Sequence, residues 1–542
     1  MLGQIDLYWH TIRHLRPRQI YHQIRRNLLP LKLVTALGDK PDPQKFDLIP
    51  WIGRQKSFLG NGRFSFLNKE YDLGWPINWE TSGCSHLWQY NLHYFNYLHQ
   101  ADIDRSEGLA LIRSWIEGHP VQNGGVGWEP YPVSLRIVNW IKFLSGDVSP
   151  PDDIINSLLS QAINLENMVE YHLLGNHLWA NAKTLCFAGA FLGKESLERL
   201  GRKIVLQELS AQFLPDGGHF ELSPMYHSIL LEDILDLSNL YQAISKPSNV
   251  EILSPLQKAA EKAMAWLAGM VDEEGKIPLL NDSVYGVASS WAELRSYAER
   301  LGVNPCFDCI SEVEIGGWLK RNYSGYWVVR KEPLRLIFDT APLGPDYLPG
   351  HGHCDMLAVL LDFEGQNILP DTGVFEYEEG ENRRYVRGTS AHNTVVLDDL
   401  EQAELWKSFR VGRRGHPQGF KAEGQDLQCS HNGFSIWQKG LFHERTVSLM
   451  DNGVELKDHV KGPGTHNFKA FFHFAPGVHI KEEAGGYRVN RRLFLEPWGA
   501  ETQLKESQYY PEFGVIQDRP CLVLSGRFSG SAVFGLRCTY SS

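Results

Sequence analysis

Several residues that can ionise or bind a metal ion lie close together in the sequence, between positions 351 and 392. His351 and His353 lie in the segment Gly-His-Gly-His-Cys-Asp, Asp371 follows one apolar run, and His392 precedes another. A buried imidazole or carboxylate needs a polar partner, because leaving it unsatisfied costs free energy. Three imidazoles and a carboxylate near strand-like runs therefore indicate a functional site rather than core packing.

The two histidines of this segment are two positions apart, which is the period of a β-strand. If the apolar run at residues 356–361 is a strand that extends back through them, both imidazoles lie on one face. One could then bind a metal while the other stays free. Two imidazoles and a carboxylate suit Zn²⁺, with water or another group as the fourth ligand. By spacing alone a second interpretation stays open, in which these are loop histidines that cap strands.

Two further polar sequences stand where helices are expected to begin. Asn176 and His177 follow a glycine, and Tyr226 and His227 follow a proline at the end of a loop that contains Asp-Gly-Gly. Polar side chains at a helix N-terminus could stabilise an anionic group. The structural alternative is that Asn176 is an N-cap and that the others are caps or packed side chains.

The hydrophobic pattern changes once along the chain. From about residue 84 to residue 300 it has the period of successive amphipathic helices, with glycine and proline at most joins. From about residue 325 onward, short alternating runs typical of strands replace it. A helical half followed by an all-β half indicates two packed domains. Helix pairs of similar length suggest a toroid or solenoid of helical hairpins.

Composition and charge limit the possible functions. The 542 residues carry a formal net charge of -11, which argues against a nucleic-acid binder, because phosphate neutralisation needs a broad basic surface. An anionic substrate would need a local basic patch. One flanks His392 and comprises Arg383, Arg384, Arg387, Lys407, Arg410, Arg413 and Arg414. Acidic residues are interspersed, so the same segment can also be interpreted as a solvated loop face.

Neither a secretion signal nor a membrane span is expected. The first 29 residues are basic and lack an apolar core of signal-peptide length, and no window of about 18 apolar residues occurs. The eight cysteines are thinly spread, and Cys306 and Cys309 are interpreted as structural thiols because no second ligand pair is near. These features predict a cytoplasmic protein, with periplasmic export by another route left open.

Taken in order, the motifs resemble those of the heparinase II/III family of polysaccharide lyases, whose relatives include alginate and oligoalginate lyases. They are Asn-His at a helix start, Ser-Pro-x-Tyr-His after an Asp-Gly-Gly turn, Gly-His-x-His-x-Asp, Pro-Asp-x-Gly and Ser-x-His-Asn. The segment at residues 128–140 also resembles the toroid signature of that family. The resemblance covers about residues 80 to 410.

The resemblance implies an α+β multidomain fold. An N-terminal incomplete (α/α) toroid would be followed by a C-terminal antiparallel β-sandwich, with the active site in the cleft between them. We expect a basic helical extension over residues 1–80, the toroid over residues 81–315 and the sandwich over residues 316–542. We expect the extension to pack on the toroid, although an amphipathic helix within it could instead dock on a membrane surface.

The reaction that the resemblance implies is β-elimination at a uronic acid in an anionic poly- or oligosaccharide. The proton at C5 is removed, the O4-linked sugar departs, and a 4,5-unsaturated end remains. A carbon-bound proton beside a carboxylate is weakly acidic. The enzyme must therefore neutralise the carboxylate, bring a base to C5 and bring an acid to the glycosidic oxygen.

Four residues match the catalytic positions of the family. By resemblance, Asn176 hydrogen-bonds the uronate carboxyl, and His177 is the base for one C5 epimer. Tyr226 is the base, or the acid that protonates the leaving oxygen. His351 is the imidazole that helps to hold and neutralise the carboxylate.

Three residues match the metal ligands of the family, namely His353, Asp371 and His392. The resemblance implies that the metal is Zn²⁺ and mainly structural, fixing the strands that present His351. We expect no direct role for it as a Lewis acid.

Five further residues are candidates for substrate binding. Aromatic faces stack on sugar rings, and an arginine can fork onto a carboxylate. The candidates are Trp128, Tyr131, Arg136, His227 and Arg387. Their structural alternatives stay open: helix core for the aromatic residues and a surface ion pair for each arginine.

Two functions of other classes remain as alternatives. A zinc-dependent carbohydrate hydrolase needs a general base beside an open metal position, and Asp355 is the nearby candidate. A non-catalytic polysaccharide-binding protein would keep its function after the substitution Tyr226→Phe. The lack of a recognised secretion signal favours a cytoplasmic oligosaccharide lyase, or an enzyme of bacterial exopolysaccharide synthesis, over a secreted enzyme.

Overall fold

Helices form most of the chain up to Arg300, and antiparallel strands form most of the chain after it. The computed structural model describes residues 2–29, 32–36, 41–146, 149–244, 249–309, 312–315, 317–321 and 323–541. Within these ranges, no helix combines the length and the apolar character that crossing a membrane requires.

Two short helices and a small antiparallel sheet precede the toroid. They are α1 (Leu2–Ile12), α2 (Pro17–Leu28), β1 (Phe58–Gly60), β2 (Arg63–Phe66) and β3 (Lys69–Asp72). The guanidinium of Arg18 in α2 lies 4.1 Å from the ring centre of Tyr171 in the helical part. In α1, the hydroxyl of Thr11 accepts a hydrogen bond of 3.1 Å from the indole of Trp406 in the β part. The extension therefore contacts both parts of the molecule, and not the toroid alone.

The toroid is built from helices that pack against their neighbours along the chain. They are α3 (His86–Tyr94), α4 (Arg105–Gly118), α5 (Pro130–Leu144), α6 (Asp152–Asn167), α7 (Gly175–Phe191), α8 (Glu195–Gln212), α9 (Pro224–Ile244), α10 (Val250–Met270) and α11 (Trp291–Arg300). α7 packs against α5, α6, α8 and α9, and all of its residues except His177 and Ala190 are buried. A helix that is apolar nearly all round belongs in the core of a helical domain.

Buried ion pairs join the inner helices of the toroid. The ammonium of Lys183 in α7 lies 2.5 Å from carboxylate oxygens of both Asp233 and Asp236 in α9. Lys142 in α5 lies 2.7 Å from Asp236. Because a buried charge is tolerated only when it is paired, these contacts fix the relative positions of the three helices whose N-termini carry Tyr131, Asn176 and Tyr226.

Two antiparallel sheets form the β part. The first is a six-stranded meander of β4 (Glu312–Ile315), β5 (Trp318–Arg321), β6 (Tyr326–Lys331), β7 (Leu334–Asp339), β8 (Val359–Phe363) and β9 (Gln366–Leu369). After α12 (Glu381–Arg387) come β10 (Val395–Leu397) and the hairpin of β11 (Ala403–Trp406) and β12 (Arg410–Arg414).

The second sheet is the larger. It contains β10 together with β13 (Pro417–Glu423), β14 (Asp426–His431), β15 (Phe442–Met450), β16 (Gly453–His473), β17 (Ile480–Glu483), β18 (Gly486–Val489), β19 (Leu493–Trp498), β20 (Glu501–Tyr509) and β21 (Gln517–Tyr540). One hydrophobic core joins the two sheets, with Trp327 and Phe338 from the first and Phe472 and Phe534 from the second. The predicted fold class, a helical toroid followed by an antiparallel β-sandwich, is confirmed.

One cysteine pair differs from expectation. Cys306 and Cys309 are joined by a disulfide, with Cα atoms 5.3 Å apart, within the usual range for such a bond. The prediction of two separate thiols is therefore wrong. Six further cysteines of the described residues are free and buried: Cys84, Cys186, Cys354, Cys429, Cys521 and Cys538.

Candidate active site

The predicted catalytic residues form two neighbouring groups, since His177 of one group and His351 of the other both act on the buried carboxyl of Glu221. We call the space between the two groups the cleft and the groups its walls. On the first wall, the ring of His177 lies 4.5 Å from that of Tyr131, whose hydroxyl is hydrogen-bonded to the side chain of Asn176. On the second wall, the rings of Tyr226 and His351 are 4.0 Å apart. The helical domain thus supplies three of the four predicted catalytic side chains, together with Tyr131, and a loop of the β part supplies His351.

Backbone strain marks the loops that build the cleft. Leu174, Leu222, Asn281 and Leu357 have positive φ angles of 65°, 60°, 55° and 63°. The left-handed region costs a leucine about 1 kcal/mol or more and persists only where the surrounding structure imposes it. Three of these residues directly precede Gly175, Ser223 and Asp282, so the strain lies where the chain turns toward the site.

The first turn of α7 presents Asn176 without using it as a cap. The helix begins at Gly175, and Leu174 occupies the cap position without a side-chain hydrogen bond, so the expectation of an Asn176 N-cap is wrong. Gly175 has a φ of +54°, and a Cβ there would lie 2.5 Å from a carboxyl oxygen of Glu221. Glycine at this position allows the helix to begin next to Glu221, which leaves the amide of Asn176 free to contact Tyr131.

His177 is held by a carboxylate. Its Nδ1 lies 3.1 Å from Oε1 of Glu170, and Glu170 also accepts a hydrogen bond of 3.1 Å from the amide of Asn181. Burial lowers the pKa of His177, but the charge and hydrogen bond of Glu170 outweigh it and leave that pKa raised. With Nδ1 engaged as a donor, Nε2 is the nitrogen that can accept a proton.

A fully buried carboxylate, Asp282, anchors the opposite wall. One of its oxygens lies 2.8 Å from Nδ1 of His351 and the other lies 2.9 Å from Nε2 of His353. Arg383 in α12 donates to both oxygens. Burial alone would raise the pKa of Asp282, but the charge of Arg383 and the hydrogen bonds from the two histidines hold it well below its usual value.

The histidine segment is a loop and not a strand. β8 begins only at Val359, and the left-handed Leu357 separates it from residues 350–355, so the predicted extension of the strand is wrong. Both histidines nevertheless face the same carboxylate. Asp282 therefore brings the two imidazoles together, as the predicted strand would have done by placing both on one face.

Aromatic and acidic side chains surround Tyr226. Its hydroxyl is 3.2 Å from that of Tyr377. Burial and then the neighbouring Tyr377 and Asp282 raise the pKa of Tyr226 well above its usual value. The phenol is therefore protonated at neutral pH.

Glu221 is a buried acid in the cleft floor. Neither carboxyl oxygen has a hydrogen-bond partner among the described residues. Burial raises its pKa, against the opposing influence of the nearby His351 and His177. An unpaired carboxyl in such a place is more stable as the neutral acid.

A cluster of four buried side chains lies beneath His351. We call it the metal cluster, and it consists of His353, Asp355, Asp371 and His392. Nδ1 of His392 lies 2.6 Å from Oδ1 of Asp371, and the rings of His353 and His392 are 5.4 Å apart. Candidate ligand atoms of Asp355, Asp371 and His392 all lie within 4.8 Å of one another. The sequence identified three of the four members and assigned Asp355 only to the alternative hydrolase mechanism.

Arg387 supports the site from behind and does not face substrate. It is buried and donates to the carbonyl oxygen of Gly352 at 3.2 Å and to that of Ser408 at 3.0 Å. Burial lowers the pKa of Arg387 to about 9. Its donors hold the backbone next to His351 and His353, and the structure does not bring Arg387 to the other candidate residues of the cleft.

Three other predicted substrate contacts also lie in the core. The indole nitrogen of Trp128 donates to the carbonyl of His119 at 3.2 Å, and Arg136 donates to Gln161 at 2.8 Å. His227 packs on Trp266, with ring centres 4.4 Å apart. All three are buried, which fits the core interpretation of Trp128 and His227, whereas Arg136 is a buried donor and not the surface ion pair that was its structural alternative. Tyr131 is the one candidate of this group that reaches the cleft.

Of the basic residues around His392, Arg384, Lys407 and Arg410 are exposed. Arg383, Arg387 and Arg414 are buried, and Arg413 pairs with Asp6 of α1. The guanidiniums of Arg383, Arg387 and Arg414 serve as internal donors, so neither interpretation, a surface patch or a solvated loop face, holds for these three.

Four residues of the site were not predicted from the sequence, Glu170, Glu221, Asp282 and Tyr377, and Arg383 was predicted only as part of the basic patch around His392. Asp282 could have been noticed, because Asn-Asp-Ser at 281–283 follows an apolar run that would otherwise be interpreted as core. The others carry no local signal, since their importance comes from contacts with residues far away in the chain.

We predict that Asp282→Asn lowers the free energy of unfolding by about 3 to 5 kcal/mol, because it leaves the charge of Arg383 buried and without its counter-charge. Urea denaturation measures this. The matched control is Asp153→Asn, which breaks a half-exposed ion pair of 2.8 Å with Arg113 and should cost less than about 1 kcal/mol. Equal losses for the two variants would contradict the anchoring role of Asp282.

Comparison with known proteins identifies the family. The model for the heparinase II/III N-terminus matches residues 54–305, and the heparinase II/III-like C-terminal model matches residues 320–532. A heparin-sulfate lyase of Bacteroides stercoris is 26% identical over 386 residues, covering 65% of this chain and 54% of that protein. The chain thus spans about half the length of the curated relatives that it matches.

Solved structures show the same fold. A crystal structure of heparinase III superposes with a TM-score of 0.70 at 20% identity, covering 87% of this chain and 81% of that one. A heparan sulfate lyase mutant from Pedobacter heparinus gives a TM-score of 0.60 at 18% identity, covering 89% and 82%. With both halves of the chain matched by the family models and the architecture shared, this chain belongs to the heparinase II/III family.

Proposed function

We propose that this protein is a polysaccharide lyase that cleaves uronate-containing poly- or oligosaccharides by β-elimination. The proposal is supported by the proximity of the candidate residues: His177 packs on Tyr131, Tyr226 packs on His351, and both histidines act on the same buried carboxyl of Glu221. The heparin-sulfate lyase names of the relatives support an anionic polysaccharide as the substrate.

His177 is the proposed base. Glu170 fixes its orientation and raises its pKa, which makes the neutral imidazole a stronger proton acceptor. A pKa nearer to the working pH is what general base catalysis requires. The proton at C5 of a uronate bound across the cleft would pass to Nε2.

Tyr226 is the proposed acid. Its raised pKa keeps the phenol protonated, so it enters the reaction with a proton to give to the leaving glycosidic oxygen. Tyr377, 3.2 Å away, can orient the hydroxyl through its own. The surroundings of the two residues favour this assignment, because burial keeps the phenol of Tyr226 protonated and Glu170 makes the imidazole of His177 a stronger proton acceptor.

Asn176 and His351 are the proposed partners of the substrate carboxylate. Developing negative charge in the enolate is stabilised by donors that are already in place. Asp282 engages Nδ1 of His351, which leaves Nε2 to face the substrate. Burial raises the pKa of Glu221, which favours its neutral form and lessens the repulsion of a uronate.

The hydrolase alternative has less support. It needs Asp355 as a general base for an attacking water, but Asp355 is buried within the metal cluster, with an oxygen that has no partner in the described residues. That position suits a metal ligand rather than a group exposed to substrate.

We predict that the protein releases a product with the ultraviolet absorbance of a conjugated unsaturated uronate from at least one member of a panel of uronate polysaccharides. Tyr226→Phe should lower turnover about 10²-fold or more without unfolding the protein, because the positioned proton donor is lost. The matched control is Tyr241→Phe, in the same helix and about 22 Å further along it. Full activity of the Tyr226→Phe variant, or no unsaturated product from any substrate, would refute the proposal.

The pH dependence of activity should depend on Glu170. The base works only when it is neutral, so activity rises as pH increases through the pKa of His177. Glu170→Gln removes the charge that raises this pKa, so the rising limb should move to lower pH by about one unit. Rate profiles of wild type and of the remote control Glu198→Gln should coincide. If the rising limb of the pH–rate profile of Glu170→Gln stays at the same pH as in wild type, His177 is not the titrating base.

We further propose that the metal cluster holds one Zn²⁺. The fit is favourable: Nδ1 of His353, Nε2 of His392 and one oxygen each of Asp355 and Asp371 are buried without a hydrogen-bond partner in the described part of the chain. Burial lowers the pKa of His353 to about 4, which keeps its imidazole neutral as a ligand must be. Asp282 on Nε2 of His353 would be the carboxylate that orients a ligating histidine.

The proposed role of the zinc is structural. It would tie the His353 loop to the segments that carry Asp371 and His392, and so steady the neighbouring His351. The proposed catalytic residues, Asn176, His177, Tyr226 and His351, act on the cleft side of this cluster.

Metal analysis tests this proposal. Protein purified in the presence of zinc should contain about one equivalent, and a chelator should lower its melting temperature. Asp371→Asn and His392→Ala should lose the metal, whereas the control His459→Gln, at a half-exposed position on β16, should keep it. Comparing His353→Ala with Asp355→Asn identifies which of the two is a ligand. A wild-type protein that takes up no zinc would overturn the proposal.

A further inference from the structure

The N-terminal helix α1 turns an apolar face to solvent. Ile5, Tyr8, Trp9 and Ile12 follow the i, i+3, i+4, i+7 spacing of one helix face, and their exposed fractions range from 46% to 64%. Single exposed apolar residues are common on proteins, but a continuous face of four large ones on one helix is not.

Helix α2 repeats the arrangement. Tyr21, Ile24 and Leu28 lie on one face and are 63%, 52% and 73% exposed. The opposite face contacts the protein: the amide of Gln19 donates to the carbonyl of Tyr347 at 3.2 Å, and the ring of His22 packs 4.7 Å from that of Tyr171. The helix is therefore fixed to the body by its polar side, and its apolar side is left outward.

The same two helices are strongly basic, although the whole protein is acidic. Five exposed arginines lie in this region: Arg13, Arg16, Arg18, Arg25 and Arg26. Asp6 is the acidic residue of the segment, and it is paired with Arg413 and His10. A local excess of positive charge thus borders the apolar faces in a chain of net charge -11.

We propose that α1 and α2 form a docking surface for an anionic lipid membrane. An exposed apolar face bordered by arginines is the pattern of helices that lie in the membrane interface, where apolar side chains enter the acyl boundary and cations meet acidic headgroups. A second copy of this chain fits less well, because it would bring two sets of these arginines together. A hydrated acidic glycan would satisfy the arginines but would leave the apolar faces in water.

The docking surface lies beside the cleft. Tyr171, which contacts Arg18 and His22, is next in sequence to Glu170, the partner of His177. Tyr347, which lies 3.6 Å from the guanidinium carbon of Arg16, precedes the loop that carries His351. Membrane binding through α1 and α2 would therefore hold the cleft close to the lipid surface. This inference does not depend on the proposed reaction.

Vesicle flotation tests the proposal with the whole 542-residue chain. Wild type should float with vesicles of phosphatidylcholine and phosphatidylserine and bind pure phosphatidylcholine at least about tenfold more weakly. The triple variant Trp9→Ser, Ile24→Ser, Leu28→Ser should lose binding by about tenfold or more, and so should Arg13→Gln with Arg25→Gln.

A matched control removes exposed apolar side chains elsewhere. Leu504→Ser, Ile516→Ser, Val533→Ser changes three residues of the β part that are 44%, 46% and 48% exposed, and it should bind vesicles as wild type does. Circular dichroism confirms that each variant is folded. Sedimentation equilibrium of wild type and the α1–α2 triple variant measures self-association in parallel.

Three outcomes would overturn the proposal. The first is a wild-type protein that does not float with anionic vesicles. The second is equal loss of binding in the β-part control, which would show that the effect is not specific to α1 and α2. The third is a wild-type dimer that the α1–α2 variant alone disrupts, together with no vesicle binding, which would identify a second copy as the occupant.

Discussion

The arrangement of the cleft depends on one buried carboxylate. Asp282 belongs to a loop that follows α10, yet its partners His351, His353 and Arg383 all come from the β part. A charge that is buried away from solvent is stable only when its partners are in place. Displacing any one of these four side chains would therefore destabilise the positions of the other three. The result is a rigid link between the two domains at the point where the chemistry is proposed to occur.

The two faces of the His351 loop have different tasks. His351 turns toward Tyr226 and the cleft, while His353 turns toward Asp371 and His392 in the interior. Arg387 holds the backbone between them through the carbonyl of Gly352. A small loop can thus present a reactive imidazole without the support of a strand, because hydrogen bonds on its inner side replace the missing strand contacts.

Much of the fold and part of the site could be predicted from the sequence. The single change in periodicity indicated the helical and β halves, because helix and strand periods are local properties. The family motifs brought out Asn176, His177, Tyr226 and His351, which the structure places around one cleft.

Other parts of the site could not be predicted, because long-range contacts decide them. Trp128 and Arg136 have residue types that suit sugar binding, and only the packing of α3 to α5 shows that they are core. Asp282 and Glu170 owe their importance to partners elsewhere in the chain. The cap position at Leu174 was missed for a related reason: Glu221 and Leu348, distant in sequence, limit what Gly175 can be.

We propose that this cleft breaks a glycosidic linkage by elimination, with its proton donor and acceptor on walls that Asp282 holds in register. Mass spectrometry of the products from a defined uronate oligosaccharide tests it most directly. The account predicts two products whose masses sum to that of the substrate. A sum larger by one water would mean hydrolysis and would contradict it.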